Sequence, residues 1–176
     1  MNFDLNKSIG LLKSTPSTLE SLLNSLDNGW LHAREGEHTW SPYIVVGHLI
    51  HSEKTNWIPR LELILSFRED KTFEAFDRFA QLNEYNTQTI EALTSEFKSI
   101  RNKSIEILQA KNLSGEDFSK TGVHPQLGTV TLQQLLATWT VHDLTHIAQI
   151  VRVMAKQYSF DVGPWYQNLS ILKDRS

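Results

Sequence analysis

The stretch His142-Asp143-Leu144-Thr145-His146, inside the run from Leu132 to Tyr158, decides how the chain is read. Outward from it, Leu135, Trp139, His142, His146, Gln149 and Val153 recur at alternating steps of four and three, the spacing of the inward seam of a bundled helix. Both histidines therefore point at the core. A seam position is ordinarily apolar. Two imidazoles one turn apart there either form a hydrogen-bonded polar patch or hold something, and a metal is the usual occupant of such a pair.

The rest of the chain repeats this arithmetic. Leu5, Ile9, Leu12, Leu19, Leu23 and Leu26 lie on one row with Pro16 at the missing step, which predicts a helix over 4–27 kinked at Pro16 and stopped by Asp27-Asn28-Gly29. Ser17 with Glu20 is an alternative start signal within it. Trp30 to Thr39 is polar and aperiodic, so it reads as a loop. Ser41-Pro42 opens a second helix running to about Phe67 and bent at Pro59, with Val46, Leu49 or Ile50, Trp57, Leu61 and Ile64 as its densest apolar row. His48 shares a different, mixed face with Ile44, Val45, Ser52 and Thr55. Residues 68–81 have no sustained period and read as a connection with a short helical turn. A third helix carries Asn86, Ile90, Leu93, Phe97, Ile100, Ser104 and Ile107 inward and ends near Lys111, its other face being solvated charge. After a second long connection, Thr131 and Gln134 form a capping box that opens the fourth helix. Trp165 to Lys173 reads as a short closing segment. With no strand alternation, repeat or low-complexity tract, the expected class is all-α, a four-helix bundle with long connections forming a single domain over 1–176.

Composition narrows the chemistry. A chain of 176 residues, 40% of them hydrophobic, can bury a full core. It has no cysteine, which removes disulfides, thiolate ligands and a cysteine nucleophile together, and leaves histidine and carboxylate as metal ligands. The net charge of -3, with basic residues scattered, gives no footprint for nucleic acid or an anionic membrane. No run reaches the length of a membrane span and no signal pattern opens the chain, so a cytoplasmic protein is expected.

A catalytic zinc-type site wants a third protein ligand beside His142 and His146 and an open position. On the residues alone, His48 is the first choice, with His51, Glu53 and His124 as alternatives that spacing does not separate. Asp143 follows the first histidine of the pair where the zinc proteases carry their glutamate base, which disfavours a protease.

The order of Trp40-Ser41-Pro42, Gly47-His48-Leu49 with Glu53, His124-Pro125-Gln126-Leu127-Gly128, Thr131-Leu132 and His142-Asp143 through His146-Ile147-Ala148-Gln149-Ile150 resembles the DinB-like superfamily, the YfiT-like group of metalloenzymes, from the first helix to about Lys156. The resemblance implies up-down-down-up helix order and a divalent metal, nickel or zinc, on three histidines that match His48, His142 and His146. It also implies a range of activities: thiol-dependent S-transferases using bacillithiol or mycothiol, a maleylpyruvate isomerase, and part of the ergothioneine-forming enzymes. His51 is then a pocket neighbour and His124 a loop residue.

The expected function is a thiol-dependent S-transferase or related hydrolase working through a metal-activated thiol or water. A low-molecular-weight thiol such as bacillithiol would supply the sulfur the chain lacks. Ser52, Glu53, Thr55 and Gln149 are candidates for orienting a small-molecule substrate, and a homodimer is the assembly to test. The competing reading is a non-catalytic, stress-associated module whose metal ties the second helix to the fourth.

Overall fold

The computed structural model describes residues 2–85 and 87–173. Helix α1, Leu5–Leu23, starts at Asp4, whose carboxylate accepts the Lys7 N–H at 3.1 Å. It runs unbroken through Pro16. Ser17 is no cap, because its hydroxyl is donated to the Ser14 carbonyl at 3.0 Å. Asp27 does not only stop the first helix but caps the next, α2, Asn28–His32, accepting from Gly29 and Trp30 N–H, so part of the stretch read as loop is helical.

The second long helix is α3, Pro42–Ser52, a π-helical turn, Glu53–Trp57, and α4, Ile58–Leu65. Ser41 caps it, its hydroxyl accepting from Ile44 N–H at 3.3 Å. The expected irregularity at Pro59 takes the form of the π turn just before it, where the wider spacing accommodates the carbonyl that proline's missing N–H leaves unpaired. The helix stops short of Phe67, which is exposed. After the short helix α5, Gln81–Glu84, comes α6, Ile90–Ala110, started by Thr89, whose hydroxyl accepts from Ala92 N–H. Asn86, placed first on its seam by spacing, lies outside the described residues. The last long helix, α7, Leu132–Lys156, opens on the expected box: Thr131 accepts from Gln134 N–H at 3.1 Å and Gln134 from Thr131 N–H at 2.8 Å.

Cross-helix contacts give the order. Asn24, Glu20 and the Leu12 carbonyl meet Thr94, Lys98 and Arg101 in turn, so α1 and α6 are antiparallel. Lys54 and Glu62 meet Glu96 and Lys111, so the second long helix runs parallel to α6. His48 packs on His146 and Trp57 on Trp139, so it is antiparallel to α7. The bundle is therefore up-down-down-up.

The 112–130 connection is not strand-free, as the sequence pattern suggested. It holds an antiparallel hairpin, β1, Thr121–His124, and β2, Gly128–Thr131, turned at Gly128 with φ 74°. The 66–80 connection is laid along it by Phe73 N–H to Val123 O at 2.8 Å and Val123 N–H to Lys71 O at 2.9 Å. Gly122 makes this possible, since a Cβ there would lie 2.5 Å from the Phe73 ring. The closing segment is a pair of 3₁₀ turns, Gly163–Asn168 and Ser170–Leu172, anchored by buried Leu172. Among the described residues no helix is long and apolar enough to cross a membrane.

The core falls into two apolar clusters, one around Leu12, Trp57, Leu61, Ile105, Leu108 and Trp139, the other around Leu19, Leu49, Ile50, Phe97 and Ile150. Between them lies a polar layer. Arg101, 1% exposed, is bidentate on Asp143, with Nη1 to Oδ2 at 2.5 Å and Nη2 to Oδ1 at 3.1 Å, and Nη2 also reaches Glu53 Oε2 at 2.9 Å. Its Nη1 also donates to the Leu12 carbonyl at 3.0 Å. That carbonyl is the one that a residue at position 16 would ordinarily bond, so Pro16 frees an acceptor inside the core and Arg101 takes it. The α6 seam turns at this level. Beyond Phe97 the buried positions are Arg101, Ser104, Ile105 and Leu108, while Ile107, expected inside, is 39% exposed and the solvated face has lost an arginine to the core.

Candidate metal centre

His48 on α3 and His142 and His146 on α7 meet at the edge of the polar layer. The Nε2 of His142 is 3.2 Å from Nε2 of both His48 and His146, and one ligand atom from each ring lies within 4.8 Å of the others. Four-residue spacing stacks the α7 pair on one face. His48 reaches them because α3 crosses α7 at that level, with Trp57 edge-on to His142 at 5.1 Å and Trp40 against His48 at 4.8 Å.

Protonation suits ligation. Burial first, and then the His146 imidazole, lower the pKa of His48 to about 3, and burial with the other two rings lowers His142 to about 2. Burial lowers His146 as well, against opposing pulls from Gln149 and Asp143. All three rings are neutral at pH 7, the form that coordinates a metal. The His146 Nδ1–H donates to Gln149 Oε1 at 2.8 Å, which leaves its Nε2 bare and aimed at the other two rings. His142 Nε2 can then donate one proton to one neighbour, so in the absence of a cation two lone pairs face each other at contact distance. A metal that accepts all three lone pairs removes the conflict. Nitrogens about 2.0–2.1 Å from one ion are about 3.0 Å apart at right angles and about 3.4 Å apart in a tetrahedron, and the 3.2 Å separations fall between.

The depressed values carry a stability consequence for metal-free protein. Unfolded histidine protonates near 6.5, whereas the buried rings resist until about 3 or below, so the unfolded chain binds more protons as pH falls from 6.5. The stability is full above that pH and declines below it, by roughly 3 kcal/mol between pH 6.5 and 5 for His48 and His142 together. Urea midpoints measured in chelator should fall accordingly, and an unchanged midpoint would mean the rings are charged in the fold.

The other candidates separate. Ser52 is brought to the centre, its buried hydroxyl 3.4 Å from His48 Nε2. Gln149 belongs to it as the residue that orients His146. Glu53 does not line the cavity. It sits on the apolar row of its helix and is turned inward to Arg101, and burial, resisted by that guanidinium, raises its pKa. Thr55 is also elsewhere, exposed and donating to the His51 carbonyl at 2.8 Å, as a threonine in a helix often does. His51 is buried beside Phe76 and reaches Glu84 at 3.5 Å. His124 lies on the hairpin across the cavity. Asp143, which follows His142 where the zinc proteases carry their glutamate base, is fully buried and bound to Arg101.

The centre opens into a cavity of about 540 Å³ walled by Trp40, Trp57, Phe73 and Phe76, with the hairpin as its far side. Phe73 and Phe76 come from the connection without sequence period, so no spacing signal could have found them. Replacing Gln149 by alanine should weaken metal binding about 10- to 100-fold by releasing the His146 tautomer, while Gln149→Glu, which still accepts that proton, should retain it. Equal affinity for wild type and Gln149→Ala in a competitive chelator titration would remove Gln149 from the centre.

Comparison with known proteins agrees with this architecture. A protein of Oceanobacillus iheyensis provisionally named a metal-dependent hydrolase is 24% identical over 158 residues, 89% of each chain. The structure of YfiT from Bacillus subtilis, described as a probable metal-dependent hydrolase with an unusual four-helix bundle topology, superposes with a TM-score of 0.75 at 21% identity over 87% of both chains. TT2238, a four-helix bundle protein, gives 0.51 at 19% identity over 84% of this chain and 98% of its own. Residues 11–150 match the profile of the DinB superfamily, and the chain belongs to that family.

Proposed function

We propose that the protein is a metal-dependent enzyme in which His48, His142 and His146 hold one divalent ion, nickel or zinc, and that it transfers an external low-molecular-weight thiol to a small electrophilic substrate. The observation that carries this reading is the convergence of three neutral imidazole nitrogens at the inner end of an open cavity. Three nitrogen ligands suit zinc and nickel and leave a coordination position for a reactant. The names of the Oceanobacillus and Bacillus relatives, both of which speak of a metal-dependent hydrolase, support the metal-dependent part of this reading.

When bound, the metal would supply a Lewis acid that makes an external thiol or water nucleophilic at neutral pH. The chain does the rest. Among the described residues no aspartate or glutamate lines the cavity, so no side chain stands ready as the carboxylate base that assists hydrolysis at many zinc sites. A thiol, about seven pK units more acidic than free water, needs that help least, which favours thiol transfer over hydrolysis. Trp40, Trp57 and Phe76 place apolar rings around the reacting end, and the Ser52 hydroxyl can hydrogen-bond a reactant beside His48.

The test is conjugation of a generic electrophile by metal-loaded protein with bacillithiol and other small thiols, set against ester hydrolysis without thiol and against His48→Ala. A thiol-dependent rate lost in that variant is expected. Hydrolysis without thiol would move the reading to a hydrolase, and no turnover of either kind would leave a metal-binding module.

A further inference from the structure

The charge of the cavity wall carries more than the reaction. The protein as a whole is acidic, with a net charge of -3, yet the only formally charged side chains among the described residues of the wall are two arginines, Arg60 and Arg78. Neither is paired with a carboxylate among the described residues. Arg60 is half-buried on α4, its guanidinium 4.9 Å from the Phe73 ring and, among the described residues, hydrogen-bonded to protein oxygen only at the Glu74 carbonyl, 3.4 Å away. Arg78 lies over Trp40 at 5.8 Å, on the histidine side of the cavity. Contact with an aromatic ring orients each guanidinium, that of Arg60 half-buried and that of Arg78 exposed, and leaves N–H groups with no carboxylate partner among the described residues.

His124 adds a third donor. Its Nδ1 accepts the N–H groups of Gln126 and Leu127 at 3.2 and 3.3 Å, so the proton of the neutral ring sits on Nε2. Burial and the Arg60 charge lower its pKa, which keeps that ring neutral. Cationic forks with no carboxylate partner among the described residues, in a cavity whose remaining wall combines aromatic rings, aliphatic Leu127, Val130 and Leu135 and neutral polar side chains, suit an anion with an apolar body.

We propose that the cavity selects small organic anions, with Arg60 and Arg78 recognising a carboxylate or phosphate and His124 donating a further hydrogen bond, while the apolar part of the molecule lies between Trp40 and Phe76 and presents its reactive atom to the three histidines. This substrate class rests on the cavity being the substrate site of the proposed enzyme. The arginines act in recognition, so their loss weakens binding of an anion and leaves its neutral counterpart unaffected.

The experiment is an NMR titration of the metal-loaded full chain with 3-phenylpropionate, phenyl phosphate and the neutral 3-phenylpropionamide. It is repeated on the Arg60→Gln, Arg78→Gln double variant, on His124→Ala and on metal-stripped wild type, with metal content measured on each sample. Wild type should bind at least one anion about tenfold or more tighter than the amide, and the double variant should lose that preference with its metal content intact. A smaller loss in His124→Ala places that ring in the same site. Equal preference in wild type and the double variant overturns the proposal, as does an anion preference that vanishes on metal removal yet ignores the arginines, because the metal alone is then the receptor. No preference for either anion in wild type overturns it too. Thiol conjugation is scored separately, so a chain that selects anions but turns nothing over loses the reaction and keeps the recognition site.

Discussion

Arg101→Ala should destabilise the protein by about 3–5 kcal/mol, a large share of the total for a domain of this size. The substitution strands two buried carboxylates, Glu53 and Asp143, and the Leu12 carbonyl that Pro16 leaves unbonded. Burial by itself would pull the Arg101 pKa down, but Glu53 and Asp143 hold the guanidinium charged, so the cost of removing it falls on the partners left behind. Replacing the whole set, Glu53→Met, Arg101→Met and Asp143→Leu together, should recover most of the loss, since the charges are then gone along with their desolvation cost. Urea unfolding of the single and triple variants checks this. A single variant within 1 kcal/mol of wild type would mean that water reaches the layer and the triad is not buried in solution.

The second large effect is on metal. His142→Ala or His146→Ala should abolish stoichiometric binding, and His48→Ala should weaken it by orders of magnitude, because a three-ligand site reduced to two keeps little affinity. His51→Ala and His124→Ala should retain about one ion per chain, since neither ring belongs to the cluster of three. Elemental analysis of protein purified without an affinity tag reads this directly. Wild-type content in the His142→Ala, His146→Ala double variant would place the metal elsewhere.

What could be read from the sequence follows from which interactions are local. The Thr131–Gln134 box and the Ser41-Pro42 start lie within four residues, and the structure forms both as the spacing predicts. The four-three row on α7 put His142 and His146 on one inward face because helical spacing alone sets that geometry. The third member of the cluster comes from a different helix, so spacing alone does not separate the first choice, His48, from His51, Glu53 and His124, and it is the family resemblance that settles the preference. Arg101, Glu53 and Asp143 were illegible for a physical reason. A charged residue looks the same in sequence whether it faces water or a partner on another helix, and only the assembled bundle brings these three together. The same layer explains the missed inward face of α6. Spacing preferred Ile107 to Arg101 because it assumed that the core is apolar throughout. The hairpin escaped because its strands have four residues each, too few for alternation to show. Phe73 and Phe76 escaped because the segment that carries them is held by contacts with that hairpin and with histidine rings rather than by any period of its own.

These pieces meet in one arrangement. The buried triad fixes the level at which the second long helix, α6 and α7 cross, and the histidines stand on two of those helices at that level. The most direct test of the centre is an anomalous difference map, at the metal's absorption edge, from crystals of protein loaded with zinc or nickel. One strong peak is expected about 2.0–2.3 Å from Nε2 of His48, His142 and His146, with the remaining coordination positions facing the cavity. A peak at any other cluster, or none at full occupancy of added metal, would contradict the three-histidine centre and the function built on it.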